Sequence, residues 1–257
     1  MIRIAEAPPL AIVSAMHQEL RALLPLLQHA RRVERAGRSF HLGELHGHPV
    51  VLALSGIGKV AAATTATLLI HTFQARALVL TGVAGGLRSG VNVGDVVVAR
   101  QLLQHDLDVS PLFPRFQVPS SGRSHFDADT LLADALAAAV QCCLDGADAL
   151  LGAATVQAFQ LEHARLHRGL VVSGDRFVSS AAQSAALREL LPDALAVEME
   201  GAAVAQVCAD SGVPFAVVRC ISDRADDSAH VAFTSFIDTV ASACTAAIVG
   251  DWLKRRT

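Results

Sequence analysis

The stretch "ALAVEMEGAAVAQVCAD" (194–210) places two carboxylates, Glu198 and Glu200, on either side of Met199 in an otherwise apolar run. Ionised carboxylates are costly to bury without partners, so a run that keeps two of them is a candidate for acid–base or hydroxyl-binding chemistry. In a strand, residues two apart share a face, so Glu198 and Glu200 point the same way and Met199 the other. Two further acids have a similar setting. "FAVVRCIS" ends in Ser222-Asp223, where Asp223 is placed to donate a proton if burial raises its pKa. Glu19, in "SAMHQEL", opens a helix just after the strand "LAIVSA". A negative charge is favoured at any helix start, which is the ordinary explanation for Glu19 and Glu200. The functional explanation is their shared place with Asp223 at strand ends, which converge on one crevice in a parallel sheet. Acids without metal-spaced histidines suit general acid/base chemistry on a neutral, hydroxylated substrate.

Other chemistries lack their signatures. "LSGIGKVA" (54–61) holds Gly56-x-Gly58-x-x-Ala61 between a strand and a helix, a degenerate dinucleotide fingerprint. No Asp or Glu occurs between Glu44 and Asp95 to bind a ribose, and Lys59 is followed by Val60, so a phosphate loop is also excluded. The second cluster, "TGVAGGLRSG" (81–90), follows "ALVL"; glycines at a strand end let a ligand approach backbone N–H groups, and Val83 and Gly85 are candidate substrate contacts. The eleven histidines form no HExxH, "HDLD" with His105 and Asp108 does not amount to a metal site, and no GxSxG elbow occurs. The five cysteines contain no CxxC pair and read as reduced thiols of a cytoplasmic protein. No cofactor and no metal are expected.

Strands and Ala-rich helices must position these residues. Periodicity predicts a strand at 10–15, a helix over "HQELRALLPLLQHA", strands near 39–45 and 49–54 joined by a turn at "HGHP", and a helix over "KVAAATTATLLIHTF". Strands follow at "ALVLTG" and "DVVVAR". The segment 103–127, with three prolines, reads as a long loop of the kind that carries function. Then come a helix near 128–145, the strand "GLVVSG", the helix "SAALRELL", the strand "ALAVEM", the helix "GAAVAQVCADS", the strand "FAVVRCIS" and a last helix over roughly 233–252. The order implies an α/β fold with a mixed, largely parallel sheet covered by helices. With 257 residues and no linker or repeat, residues 1–257 are expected to form a single domain.

The hydrophobic fraction of 52% against 18% charged residues excludes disorder, and a net charge of -3 offers nothing to a nucleic-acid backbone. The short basic runs Arg31-Arg32 and Lys254-Arg255-Arg256 read as solvated ends of elements. Glu6 and two prolines break the N-terminal segment that a signal peptide would need, and the apolar run 232–249 contains Asp238 and reads as a core helix, so no membrane contact is expected.

Taken in order, "SAMHQEL", "SGIGKVAAA", "TGVAGGL", "VGDVVVA", "HDLDV", "VSGDRFV", "AVEMEGAAVAQVC", "VPFAVVRCISDRAD" and "AF" (232–233) resemble the bacterial 5'-methylthioadenosine/S-adenosylhomocysteine nucleosidases of the nucleoside phosphorylase superfamily. The resemblance spans about residues 10–236. It implies a three-layer α/β/α sandwich with a twisted mixed sheet, a homodimer, and hydrolysis of the N-glycosidic bond of a nucleoside thioether to give adenine and a 5-thioribose product. By motif position it implies that Asp223 protonates adenine N7, with Ser222 positioning it, and that Glu19 activates the attacking water. It further implies that Glu200 binds the ribose hydroxyls with Met199 against the sugar, that Phe177 stacks on adenine, and that backbone groups of Val178 read the base edge. Ile57 and Phe233 would line the thioalkyl pocket with Val109 of the partner subunit. Glu198 either contacts substrate or braces the site.

The sequence departs from the family pattern at Val83, where a serine is commoner, at His17 and Gln18 before Glu19, and in "SPLFPRFQVP", which leaves the preferred 5' substituent open. Three other readings stand beside hydrolysis of these thioethers. A phosphorylase of this superfamily would be expected to carry an arginine just before the second glycine cluster, yet "LVLTGVAGG" has Thr81 there and Arg88 follows the glycines. A futalosine hydrolase differs by a larger 5' group. A nucleoside-binding protein without activity would be expected to have lost one of Glu19, Glu200 and Asp223.

Overall fold

Three strands, β1 (Leu10–Ser14), β5 (Ala77–Gly86) and β10 (Phe215–Asp223), are buried along their whole length. Apolar side chains on both faces leave such strands no solvent side, so each needs a helical layer above and below. Alternation along the strand decides which layer receives which residue. Leu10, Ile12, Val79 and Val218 pack into one core with helices α3 (Thr130–Asp145) and α9 (Ser242–Lys254). Ala11, Val13, Leu78, Leu80 and Val217 pack into the other with α2 (Lys59–His71) and α7 (Gly201–Ser211). The computed structural model, which describes residues 7–226 and 229–256 and the backbone alone at 230–232, is thus the expected α/β/α sandwich around a mixed sheet. Residues 1–6, which bear on the reading of the N-terminus, and the side chain of Ala232 in "AF" lie outside the described residues.

The sheet also contains β2 (Gln28–Arg35), β3 (Arg38–Leu45), β4 (His48–Leu54), β6 (Val96–Gln104), β7 (His125–Asp127), β8 (Leu166–Ser173) and β9 (Ala194–Glu198), in the order β10-β6-β8-β9-β5-β1-β4-β3-β2, with β7 on β6. Strand β10 pairs with both β5 and β6, which closes β5, β10, β6, β8 and β9 into a ring. Two parallel sets meet in this ring. One contains β1, β4, β5 and β10; the other contains β6, β8 and β9. They run antiparallel to each other, and β5 meets β9 only at Gly85↔Val197 and Gly86↔Ala196. The C-terminal ends of both sets therefore come together at one point, a tighter convergence than an open parallel sheet provides.

Local sequence explains most boundaries. Asp129 caps α3 by accepting from the Leu132 N–H at 2.8 Å, and Ser180 caps α6 (Ala181–Leu190) in the same way. Residues His46 and Gly47, both at positive φ, make the tight β3–β4 turn expected at "HGHP".

Three expectations need correction. The helix over "HQELRALLPLLQHA" is only one turn, α1 (His17–Leu20), followed by a 3-10 turn at Leu24–Leu26 and then β2. Pro25 disfavours helical geometry at the residue before it and has no N–H to donate. Residues 28–35 pair antiparallel with β3 instead, which supplies hydrogen bonds that the apolar periodicity does not reveal. Arg31 and Arg32 consequently lie inside this exposed edge strand and not at an element end, where charge discourages further strand addition. The last helix is longer and interrupted: α8 (Ala229–Phe236), a π-helical turn at Ile237–Ala241, then α9. Its segment Phe233–Lys254 is long and apolar enough to cross a membrane by length and composition, and Ile248, Val249, Trp252 and Leu253 are buried in the core with α3. Residues 147–151 and 153–158, for which periodicity predicts nothing, form the short helices α4 and α5.

Candidate active site

One cavity sits where the strand ends meet, with about 480 Å³ of empty space counted to its open mouth. Its wall includes Met16, Glu19, Ile57, Val83, Gly85, Phe177, Glu198, Met199, Glu200, Ser222, Asp223 and Phe233. Nine of these were candidates from type and spacing or from the resemblance, along with Val83 and Gly85 from the glycine cluster, Met16 being the addition from the "SAMHQEL" motif itself. Val178 is not in the wall; its side chain is buried with Leu87, Val172 and Val197. Val109 lies on the 105–124 loop, away from this chain's own cavity wall.

Glu19 lies in the first turn of α1, just after the C-terminal end of β1, and lines the cavity. Its carboxylate accepts from the Met16 N–H at 2.8 Å and, across the cavity floor, from the Val83 N–H at 3.0 Å. Position 83 thus contributes its backbone, which a valine supplies as well as a serine. Burial pushes the Glu19 carboxyl above its usual range, against the pull of Arg219 and the backbone donors.

Arg219 is the residue that sequence reasoning passed over. It is fully buried on β10, donates to the Thr81 carbonyl at 3.1 Å, pairs with Glu198, and reaches Glu200 at 3.3 Å. Burial works against its charge, but Glu198, Glu200 and Glu19 hold it protonated. The signal was present: a lone arginine inside "FAVVRCIS", four residues before Asp223 and so near its face of the strand. Gly82, at φ +148°, makes room for this group, because a side chain there would collide with both Arg219 and Glu19.

The two glutamates of "VEMEG" have different surroundings. Glu198 accepts from the N–H groups of Glu200 at 3.1 Å and Gly201 at 2.9 Å, from Ser173 Oγ, and from Arg219. It therefore covers the start of α7, which the Glu200 side chain does not cap. Glu200 accepts from the Gly58 N–H at 3.0 Å and from Arg219, and faces the cavity. Burial and the neighbouring Glu198 charge push it up to about 7, against Arg219.

Asp223 ends β10. Ser222 Oγ donates to its Oδ2 at 2.9 Å and the Ala225 N–H donates to Oδ1 at 2.8 Å, so both oxygens are fixed in direction. Burial raises its pKa despite these bonds, the condition for a carboxylic acid that still carries a proton to give. Opposite the acids, the rings of Phe177 and Phe233 meet edge to face at 5.6 Å, and Ile57 stands half out of the mouth with 58% exposure. The arrangement offers a flat apolar slot beside a proton donor, and a patch of carboxylates where positive charge can develop. Among the described residues no group of three or more His, Cys, Asp or Glu is arranged to hold a metal ion.

Comparison with known proteins places the chain in a family. The phosphorylase superfamily pattern matches residues 9–253. The 5'-methylthioadenosine/S-adenosylhomocysteine nucleosidases of Bacillus thuringiensis (strain Al Hakam) and Bacillus cereus (strain AH187) are 36% identical over 93% of this chain and 96% of theirs. The nucleosidase of Neisseria meningitidis, solved with methylthio-immucillin-A, superposes with a TM-score of 0.84 at 37% identity, covering 97% of this chain and 100% of that one. A futalosine hydrolase mutant from Helicobacter pylori superposes with a TM-score of 0.80 at 32% identity, covering 95% and 98%. The chain belongs to the phosphorylase superfamily and, within it, to the 5'-methylthioadenosine/S-adenosylhomocysteine nucleosidases.

Proposed function

We propose that this N-glycosyl hydrolase cleaves the bond between adenine and the sugar in 5'-methylthioadenosine and S-adenosylhomocysteine, releasing adenine and a 5-thioribose product. The observation that carries the reading is the meeting of Glu19, Glu200 and Asp223 in one cavity whose wall, among the described residues, contains no lysine or arginine. A phosphorylase needs a free cation for its oxyanion. Arg219 is already committed to two carboxylates and the Thr81 carbonyl, and Arg88 is exposed away from the wall.

In this reading Asp223 gives its proton to N7 of the base, which makes adenine a better leaving group. Such a general acid contributes a factor of about 10²–10⁴. Glu19 orients and deprotonates the water that attacks the anomeric carbon. Glu200 accepts from the ribose hydroxyls and, with its neighbours, stabilises the oxocarbenium-like charge; Met199 packs on the sugar. Phe177 stacks on the base, whose edge backbone groups of Val178 would read, and Ile57 with Phe233 would surround the thioalkyl group. Gly85 leaves the space in which Asp223 sits, since a side chain there would come within 2.9 Å of its Oδ1. Glu198 braces the site through Arg219 and the start of α7.

We also assign the chain to one domain and a cytoplasmic homodimer. The apolar side chains exposed around the mouth and on the nearby loop, Ile57, Val60, Leu112 and Phe113, support a second subunit there, with Val109 of the partner subunit completing the thioalkyl pocket. The structural likeness to a futalosine hydrolase mutant favours a second reading in which the 5' group is larger. Adenine release from methylthioadenosine and adenosylhomocysteine, and base release from futalosine, in phosphate-free buffer tests the reaction and its substrate. Equal rates with and without phosphate are expected; strict phosphate dependence would overturn hydrolysis, and turnover of futalosine alone would overturn the substrate assignment.

A further inference from the structure

Three loops at the strand ends are tied in a closed circuit that the acid–base chemistry does not use. The Lys59 ammonium donates to Asp106 Oδ1 at 2.6 Å. The other oxygen of Asp106 accepts from the Asp175 N–H at 2.8 Å. The Asp175 carboxylate in turn accepts from the Lys59 backbone N–H at 2.7 Å, which returns the circuit to its start. Each member follows a different strand: Lys59 comes after β4, Asp106 after β6 and Asp175 after β8. Strands β8 and β4 are separated in the sheet by β9, β5 and β1, so the circuit bridges the mouth of the cavity from one parallel set to the other.

What the circuit holds is the apolar wall. Lys59 and Gly58 carry free N–H groups at the start of α2; Asp175 takes the first and Glu200 the second. Ile57 precedes them, in a loop whose flanking glycines 56 and 58 both have positive φ and so impose no rigidity of their own. Phe177 lies two residues after Asp175. The circuit thus fixes Ile57 and Glu200 relative to Phe177. Two further contacts stiffen it: Lys59 Nζ also donates to Gln104 Oε1 at 3.1 Å, and the His105 ring packs so closely on Gly174 that any side chain there would collide. Burial alone would push Asp106 upward, but Lys59 and the Asp175 N–H hold it below the usual carboxylate range, which favours its ionised form.

We propose that Lys59, Asp106 and Asp175 are positioning residues, a clamp that sets the spacing between the base-stacking wall at Phe177 and the 5'-substituent wall at Ile57. A partly exposed ion pair of this kind contributes little to global stability. Its effect is on alignment, to which binding and turnover are more sensitive.

The proposal rests on the nucleosidase reading, and the experiment separates the two. Adenine release from methylthioadenosine is measured for the wild type, Lys59→Met, Asp106→Asn, the double variant and Lys59→Arg, together with thermal midpoints. With the clamp, Lys59→Met raises KM about tenfold while kcat stays within about threefold, because a ground-state contact has been loosened and the reacting groups remain. Asp106→Asn behaves in the same way, the double variant is no worse than either single one, and Lys59→Arg recovers most of the lost affinity. An unchanged KM in both single variants overturns the clamp, as does a loss that simply tracks the thermal midpoint and is not recovered by Lys59→Arg. Should Lys59→Met not fold, Asp106→Asn and Lys59→Arg give the same discrimination. A wild type that releases no adenine refutes the nucleosidase reading instead, whatever the variants do.

Discussion

The Arg219 guanidinium and the Glu198 carboxylate form an ion pair with 0% and 2% of their side chains exposed, in the floor of the cavity. Glu200 stands against the same guanidinium at 3.3 Å. Removing the cation leaves two carboxylates buried together, which costs about 3–5 kcal/mol when a buried pair loses one partner. Arg219→Met is therefore expected to lower the free energy of unfolding in urea by that amount and to abolish adenine release. A variant of wild-type stability would show that the three groups are not paired in solution.

Asp223→Asn keeps the size and the Ser222 contact but has no proton of comparable acidity to give. Turnover is expected to fall by a factor of about 10² or more, with the affinity for adenine changed little. Steady-state rates and calorimetric binding of adenine check this; retained turnover would move the acid elsewhere.

Gly82→Ala places a methyl group between Arg219 and Glu19 at a backbone angle that side chains rarely adopt. Both effects oppose folding of the floor, so a destabilisation of about 2–4 kcal/mol and loss of activity are expected. Gly90, with open space around its missing side chain, is the control: Gly90→Ala should lose only the smaller amount due to its own positive φ.

Stability should depend on pH through Glu200. The folded chain holds the Glu200 proton up to about 7, whereas the unfolded chain releases it near 4.5. Between those values the folded state binds more protons, so this contribution to stability is complete below the lower value and is lost as pH rises through the higher one. Glu200→Gln cannot ionise and lacks this dependence. Urea unfolding at about pH 5 and pH 8 should show the wild type losing stability relative to Glu200→Gln on going up, by an amount on the order of 2 kcal/mol. A difference that stays constant, or grows in favour of the wild type, would place the proton elsewhere.

Much of the site was legible in particular residues. Glu200 and Asp223 announce themselves because each ends an apolar run, and Phe177 and Phe233 follow from motif position. Glu19 was legible as an acid after a strand, although its helix was drawn too long: apolar spacing continues through "LLPLLQHA" and only the pairing with β3 shows that the chain has turned into a strand. Arg219 was overlooked because its strand reads as wholly buried, and nothing within nine residues indicates that its partners come from β9 and the turn after it.

The sequence by itself determined the α/β alternation, both core faces and the identity of the acids, because these depend on period-2 and period-3.6 patterns and on residues adjacent in the chain. Only the tertiary structure decided which glutamate braces and which faces the cavity. That choice depends on where Arg219, Ser173 and the Gly58 N–H lie relative to β9. It likewise decided that Lys59, Asp106 and Asp175 form one circuit, since they meet through the closure of β10 onto both β5 and β6 and the opposed directions of the two parallel sets. The bonds of this circuit join residues 47 to 116 positions apart. They follow from strand order, which local patterns do not encode.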